Sequence, residues 1–128
     1  MRLLLDSNVL MWALAEPHRL NAKVRGDLED RDNEVLFSAA SIWEFAIKSA
    51  ARPGSLPRNA EEIFAIALET GFRELQVTGA VARHVANLPL HHRDPFDRIL
   101  IAQAMCEPAI LYTSDAQLEI YSDLVRRV

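Results

Sequence analysis

The sequence predicts an α/β fold: a single domain with a mainly parallel sheet of four to five strands, covered by helices on both faces. Short apolar runs of strand length alternate with longer helical segments, which is the pattern of repeated strand-helix-strand units. The chain has 128 residues, of which 50% are hydrophobic and 25% are charged, so it is long enough to build one core. No internal repeat or linker divides it. We therefore expect residues 1–128 to form one domain.

Capping residues define the elements in the first half of the chain. Asn21 and Ser38 are suitable N-cap residues for the second and third helices. Asn59 and Glu62 have the spacing of a capping box, and Gly71 suits the end of the helix that begins there. The predicted elements are a strand at 3–5, a helix at 8–15, a helix at 21–30, a strand at 35–37, a helix at 38–51 and a helix at 59–70.

Threonine, aspartate and proline residues define the elements in the second half. Thr78 begins a helix that stops near Leu88 and Pro89. Asp94 is the expected N-cap of the next helix, because Pro95 loses nothing at the first helical position, where its missing N–H has no partner. The predicted elements are a strand at 75–77, a helix at 78–88, a helix at 94–107, a strand at 110–113, a short helix after 115 and an edge strand at 124–128.

Four acidic residues stand beside or inside strongly apolar segments, where an ionised carboxylate is costly unless something compensates it. If the fold gathers them, their repulsion raises their pKa values until a divalent cation neutralises them. Ligands of parallel sheets bind beyond the carboxyl ends of the strands, and two of the acids follow predicted strands. Carboxylate sites of this kind select Mg²⁺ or Mn²⁺. The four acids are Asp6, Glu44, Asp97 and Asp115, in the segments LLLDSNVLMWAL, SAASIWEFAIK, HRDPFDRILIAQA and ILYTSD.

Three of these acids also have purely structural interpretations. Asp6 and Asp115 are placed to cap the helices that follow them. Glu44 has capping-box spacing with Ser41, and it precedes Lys48 by four residues, the favourable order for an ion pair on a helix. The joint pattern therefore favours a metal site more than any of these three acids does alone.

Asp97 is harder to explain structurally. It lies in the first turn of a helix that is apolar on most sides, and such helices are buried. The helix dipole favours a negative charge at that position, but it does not account for an acid in so buried a helix. Asp94 is explained as an N-cap, so we leave it out of the metal site.

Charge and cysteine content restrict the class of protein. The net charge of −4 argues against a generally basic nucleic-acid binder, although a local basic rim around an acidic centre is compatible with it. The lone Cys106 permits no internal disulfide, and its apolar neighbours predict a small core residue in a protein of the reducing cytoplasm. Asp6 interrupts the first apolar run after three leucines, so no membrane segment is expected.

Taken together, the four acidic segments resemble the PIN domain, specifically the VapC-like ribonuclease toxins of bacterial toxin–antitoxin pairs. The resemblance spans nearly the whole chain. It implies that the four acids form the catalytic and metal-binding quartet of a Mg²⁺- or Mn²⁺-dependent endoribonuclease, in which a metal-activated water hydrolyses RNA phosphodiester bonds. It also implies a small antitoxin partner and a homodimer, with apolar residues around Trp12 and Trp43 supplying a groove for an antitoxin helix.

The sequence departs from close relatives at two places. Ser7 and Asn8 stand where Thr-His commonly follows the first acid, and Arg-Pro-Gly-Ser follows Ala51 where many relatives continue into a Gly-Lys turn. Polar and basic residues near the acids are expected to guide the RNA backbone. For Arg98 an ion pair with a nearby acid is the alternative, and for His91 and His92 the alternative to phosphate or ribose binding is a solvated loop. The predicted substrate-binding residues are Ser7, Asn8, Lys48, Arg93 and Arg98.

Two other classes of function remain open. In a phosphatase or a phosphoryl-accepting domain, Asp6 would be the nucleophile. Haloacid-dehalogenase-type phosphatases, however, need a second acid where Asn8 stands, and a receiver domain needs paired acids before its phosphorylated aspartate. The remaining alternative is an inactive PIN-like binding module.

Overall fold

The computed structural model describes residues 1–128 and shows five strands in one sheet, with helices on both sides. The strands are β1 (Arg2–Leu5), β2 (Glu34–Ser38), β3 (Arg73–Leu75), β4 (Ile110–Thr113) and β5 (Val125–Arg127). The helices are α1 (Ser7–Ala15), α2 (Ala22–Glu29), α3 (Ala39–Ala51), α4 (Ala60–Thr70), α5 (Gly79–His84) and α6 (Pro95–Cys106), and 3-10 turns cover Pro17–Arg19, Val85–Asn87 and Ala116–Tyr121.

The sheet is parallel throughout, with the strand order β3-β2-β1-β4-β5. The chain builds outward from β1 to β3 on one side and then returns to the other side of β1 with β4. This reversal creates a crevice beyond the carboxyl ends of β1 and β4, the position where parallel sheets bind ligands. The predicted α/β fold is confirmed, and its central strand leads directly into Asp6.

Both faces of the sheet are buried, because its central strands are apolar at successive positions. Leu3, Leu5 and Phe37 point to one face, where they pack with residues of α1, α2 and α4. Leu4 and Leu36 point to the other, where they pack with α6. All five are fully buried. This pattern is characteristic of parallel sheets, and it confirms the prediction that helices cover both faces.

The helix boundaries follow local capping chemistry. The Asn59–Glu62 capping box is complete, and Gly71 ends α4 in the left-handed region with a φ of 93°. The helix predicted at 78–88 is shorter, since it consists of α5 and a 3-10 turn. None of the helices is long and apolar enough to cross a membrane. The predicted N-cap residues are confirmed at Asn21, Ser38, Asn59, Thr78, Asp94 and Asp115.

Three local predictions are wrong. The third strand lies at Arg73–Leu75 and not at 75–77, because the ladder with β2 ends where Leu75 pairs with the last residue of that strand. Cys106 is exposed, since it lies in the final turn of α6, beyond the part of the helix that the sheet covers. Ser41 and Glu44 form no capping box, because Ser38 caps α3 and Ser41 lies inside the helix.

Candidate metal centre

Asp6 links β1, α1 and β4 at the centre of the sheet edge. Its Oδ1 accepts a hydrogen bond from the Val9 amide at 2.8 Å, so Asp6 caps α1 as one interpretation predicted. Its Oδ2 accepts from the Thr113 hydroxyl at 2.6 Å and from the Ser114 amide at 3.0 Å. The side chain is nevertheless so buried that desolvation raises the pKa of the Asp6 carboxyl, and the charge of Glu44 raises it further. Capping and membership of the acidic site therefore coexist in one residue.

Glu44 is held in place by residues from two helices. It is buried on α3 and accepts a hydrogen bond from the Ser7 hydroxyl at 2.6 Å. The predicted ion pair with Lys48 is present, with Nζ 2.8 Å from Oε2. Ser7 is itself buried, and its hydroxyl oxygen lies 3.0 Å from that of Ser41, which can donate to it because the Ser7 proton is directed at Glu44. The structure therefore places Ser7 behind Glu44, where it orients the carboxylate, although it was predicted to bind substrate.

The surroundings of Asp97 also raise the pKa of its carboxyl. It lies in the first turn of α6, and 23% of its side chain is exposed. Burial raises the pKa of this carboxyl to about 7, with further contributions from the charges of Asp94, Asp6 and Glu44, while His92 opposes the shift. The charges of Asp6, just after β1, and of Glu44, on α3, therefore act on Asp97, although both residues lie far from it in sequence.

Asp115 completes the cluster just beyond β4. Its Oδ1 caps the following 3-10 turn by accepting from the Gln117 amide at 2.9 Å. Its own amide donates to the Thr113 hydroxyl at 3.0 Å, and the same hydroxyl donates to Asp6. Thr113 thus connects the first and fourth acids. This role of Thr113 was not predicted, although its position at the end of β4, two residues before Asp115, was a usable indication.

His92 also enters the cluster, which the sequence did not predict. Its Nε2 lies 3.3 Å from Oδ2 of Asp115, and its Nδ1 lies 3.9 Å from Oδ2 of Asp97. One donor atom from each of these three residues falls within 4.8 Å of the others. The sequence suggested phosphate or ribose binding for His92, or a solvated loop. His92 does lie in a loop, but it reaches the acids from there, and a helical spacing of three or four residues is therefore not needed to bring it to them.

The other predicted substrate residues fall into different environments. Asn8 is exposed and donates to the Ser114 hydroxyl at 3.2 Å, and Arg93 is exposed in the loop before α6. Lys48 is half exposed beside Glu44. The guanidinium of Arg98 instead binds backbone carbonyls of the segment before α6, including that of Pro89 at 3.0 Å, and it forms no ion pair with an acid. Arg98 is therefore placed as a structural residue.

The charge balance at this site fits a hard divalent cation. Asp6, Asp97 and Asp115 form no ion pair with a lysine or arginine, and Glu44 is the one member of the quartet that does. The available ligands are carboxylate oxygens with one nearby imidazole, which favours Mg²⁺ or Mn²⁺ over softer metals. A cation there would offset the burial and the mutual repulsion that raise the carboxyl pKa values of Asp6 and Asp97.

These features define an α/β domain with a carboxylate site beyond the carboxyl ends of its parallel strands. The model of the PIN domain family matches residues 3–124, and the chain belongs to this family. The resemblance predicted from the four acidic segments is confirmed. No curated protein sequence matches the chain.

Several solved structures share the fold at low sequence identity. The chain is similar to a chain in the crystal structure of VapBC2 from Rickettsia felis bound to a DNA fragment from their promoter, with a TM-score of 0.76, 14% identity and coverage of 100% of this chain and 99% of that one. For VapBC-1 from nontypeable Haemophilus influenzae the TM-score is 0.65 at 16% identity, with coverage of 100% of this chain and 97% of that one. For a toxin–antitoxin complex from Klebsiella pneumoniae the TM-score is 0.61 at 18% identity, with coverage of 96% of this chain and 94% of that one. At these identities the likeness establishes the fold.

Proposed function

We propose that the protein is a Mg²⁺- or Mn²⁺-dependent endoribonuclease that acts as the toxin of a toxin–antitoxin pair. The main support is the convergence of Asp6, Asp97 and Asp115 at one edge of the sheet without a lysine or arginine to neutralise them. Burial raises the pKa values of Asp6 and Asp97, and perturbed acids of this kind in a crevice are characteristic of functional sites. Membership of the PIN family supports the same assignment.

The residues around the quartet have distinct tasks in this proposal. Asp6, Asp97 and Asp115 hold the cation directly or through water, and Glu44 acts partly through water. A bound divalent cation would supply an activated water and would offset charge on the phosphate and the leaving oxygen. Thr113 fixes the rotamer of Asp6. No covalent nucleophile is needed, and the expected products are a 5′-phosphate and a 3′-hydroxyl.

Basic and polar residues at the rim would contact the RNA backbone. Lys48 is half exposed while its ammonium rests against Glu44, so it can approach a phosphate without leaving the site. Arg93 and Asn8 are exposed on neighbouring loops. The site thus combines a negative centre with a small number of positive groups around it, which is compatible with the net charge of −4.

The proposal includes a small antitoxin and a homodimer as protein partners, in a single domain of residues 1–128 in the cytoplasm. A relative solved with its antitoxin supports the first partner. An apolar hollow of about 570 Å³ between α3 and α6 offers a contact surface, and Trp43 beside it is 64% exposed and packs edge-on against Phe96. Trp12 is half buried, with Arg19 over its ring, and is the less available of the two tryptophans.

Phosphoryl transfer to Asp6 receives no support from this geometry. The residue is only 5% exposed and both carboxylate oxygens accept hydrogen bonds, so a phosphoryl donor, which is far larger than a metal ion or a water, has little room for in-line approach. Incorporation of labelled phosphate into the protein would contradict this conclusion. An inactive PIN-like binding module would bind the cation but cleave nothing.

The decisive experiment is cleavage of an RNA panel, including tRNAs and ribosomal RNA fragments, by the purified protein. Reactions with Mg²⁺, Mn²⁺ or EDTA are compared for the wild type, Asp97→Asn and the control Glu34→Gln, an equally conservative change at the opposite edge of the sheet. We expect divalent-dependent cuts with 5′-phosphate ends that disappear in Asp97→Asn and persist in Glu34→Gln. Cuts that survive in EDTA, or equal activity in Asp97→Asn, would overturn the proposal.

A further inference from the structure

The loop between α5 and α6 is held in a defined conformation by Arg98 and Tyr121. Arg98 reaches back from α6 and donates hydrogen bonds to several carbonyls of the preceding segment and to the Tyr121 hydroxyl, at 3.3 Å. Hydrogen bonds from a charged guanidinium are stronger than neutral ones, so together they hold the backbone of this segment in place. The accepting carbonyls belong to Val85 at 3.1 Å, Leu88 at 3.4 Å, Pro89 at 3.0 Å and His92 at 3.4 Å.

Tyr121 fixes the end of the loop that approaches the acids. Its hydroxyl oxygen accepts from the amides of His91 at 3.0 Å and His92 at 2.7 Å. The ring of His91 packs edge-on against the tyrosine ring, with 5.1 Å between centroids. The backbone of His92 is therefore placed by groups that lie outside the acidic site itself.

The ring of His92 is oriented by a third contact, which also identifies its tautomer. The backbone amide of Asp94 donates to Nδ1 of His92 at 3.1 Å. An amide can only donate, so Nδ1 is the acceptor, and the ring proton lies on Nε2. The Nε2 atom lies 3.3 Å from Oδ2 of Asp115, within reach of a hydrogen bond.

Asp115 is held by fewer protein groups than Asp6 and Glu44. Its Oδ1 is already occupied by the Gln117 amide, no other protein group binds Oδ2, and 37% of the side chain is exposed. Asp6 and Glu44, in contrast, are buried and hydrogen-bonded by Thr113 and Ser7. Without His92, Oδ2 of Asp115 would have no protein partner.

We propose that His92 is a positioning residue: its Nε2–H donates to Asp115 and holds that carboxylate in the metal site, while Arg98 and Tyr121 hold His92. The proposal deepens the proposed function and rests on it. It differs from direct metal ligation by His92, because a nitrogen that carries a proton has no lone pair to give to a cation. Hydrogen bonds that orient ligating carboxylates in this way are a general feature of metal sites.

The test uses Mn²⁺ alone as the probe, so it does not depend on RNA cleavage. We compare His92→Gln, whose side-chain amide nitrogen can reach the position of Nε2, with His92→Asn, whose shorter side chain reaches only the position of Nδ1. Calorimetric titration should show Mn²⁺ binding weakened by roughly 10- to 100-fold in His92→Asn and largely restored in His92→Gln. Tyr121→Phe, which removes the anchoring hydroxyl, should weaken binding by a smaller factor.

Spectroscopy on the wild type supplies a test that needs no variant. Long-range proton–nitrogen NMR correlations of the metal-free protein should place the ring proton of His92 on Nε2, and electron spin-echo spectra with Mn²⁺ should lack the coupling of a directly bound imidazole nitrogen. A proton on Nδ1, such a coupling, or equal Mn²⁺ affinity in His92→Asn and the wild type would overturn the inference. Mn²⁺ binding that depends on His92 without any RNA cleavage would sink the proposed function and leave this inference standing.

Discussion

Acidic residues lie at both ends of the parallel strands, and their negative charges are compensated differently at the two ends. We call the end where the strands begin the amino edge and the end where they finish the carboxyl edge. At the amino edge, Glu34 and Glu107 lie beside Arg2 and Arg73. Arg2 contacts Glu34 at 3.7 Å and also pairs with Glu107. Arg73 contacts Glu107 at 3.5 Å and also pairs with Glu34. Each acid therefore has two guanidinium partners within the chain.

At the carboxyl edge, three acids have no such partners. Asp6, Asp97 and Asp115 are gathered there with one imidazole, that of His92, and burial raises the pKa values of Asp6 and Asp97. The acidic charges at the amino edge are thus neutralised by arginines, while those of the three aspartates at the carboxyl edge are left for a cation to neutralise. Position alone does not distinguish structural from functional acids, because both kinds lie near strand ends. The presence or absence of an arginine partner does distinguish them.

The largest expected effect comes from removing one uncompensated charge. Asp97→Asn should lower RNA cleavage by more than the roughly 10- to 100-fold that loss of an outer-shell partner costs, because a ligand itself is lost. Without metal at pH 8, the same variant should be more stable than the wild type, by on the order of 1 kcal/mol or more, since a desolvated and repelled charge disappears. Cleavage rates and chemical denaturation check both outcomes.

A matched variant at the amino edge sharpens this result. Glu34→Gln should leave cleavage unchanged and should lose stability, the opposite pattern. If Asp97→Asn instead destabilised the metal-free protein as Glu34→Gln does, the distinction between the two edges would fail.

Metal binding should stabilise the carboxyl edge by mass action. With Mg²⁺ at about 100 times its dissociation constant, the free energy of unfolding of the wild type should rise by about 2.7 kcal/mol. Asp97→Asn should gain far less under the same conditions, and Glu34→Gln should gain as much as the wild type. Thermal denaturation across a series of Mg²⁺ concentrations measures the difference, with Ca²⁺-free buffers throughout. A melting temperature of the wild type that does not respond to Mg²⁺ or Mn²⁺ would contradict a metal centre here.

The fold was predictable because most of its determinants are local. Ser38, Asn59 and Asp94 begin helices through hydrogen bonds to residues two or three positions away, so their roles are visible in short stretches of sequence. The wrong predictions concern features that depend on contacts with residues far away in the sequence. The end of β3 is fixed by its ladder with β2, and the exposure of Cys106 depends on where α6 leaves the sheet.

The candidate site was predictable only in part for the same reason. Asp6 and Asp115 could be assigned to one edge because they follow strands of a parallel sheet. The partners that fix them come from far along the chain: Thr113 lies 107 residues from Asp6, and Ser7 lies 37 residues from Glu44. His92 joins the acids through a loop whose course depends on Arg98, a residue that sequence patterns had assigned to substrate or to an ion pair. Tertiary contacts of this kind leave no periodic signature.

The pH dependence of stability and of Mn²⁺ affinity should also reveal the uncompensated acids of the carboxyl edge. In the metal-free protein the folded pKa of Asp97 is about 7 against an ordinary value of 3.8, so the folded state binds this proton more tightly than the unfolded state. Its contribution to stability is therefore greatest at low pH and declines as pH rises from about 4 to about 7, after which it is constant. Mn²⁺ must displace the same proton, so Mn²⁺ affinity should fall on the order of tenfold per pH unit below 7. Asp97→Asn should flatten the stability profile over this range, and an unchanged profile would show that other groups dominate it.

The smallest effect is expected from the amino edge, although its ion pairs are the more numerous. Arg73→Gln removes contacts to Glu34 and Glu107, but the side chains of Arg73 and Glu34 are about half exposed, so solvent screens the pairing. Such pairs contribute about 0–1 kcal/mol, and part of the loss is recovered because Arg2 still reaches both acids. The variant should therefore unfold within about 1 kcal/mol of the wild type and keep its Mn²⁺ affinity. A large drop in Mn²⁺ affinity would mean that charge at the amino edge is coupled through the sheet to the metal centre, and the separation of structural from functional acids would no longer hold.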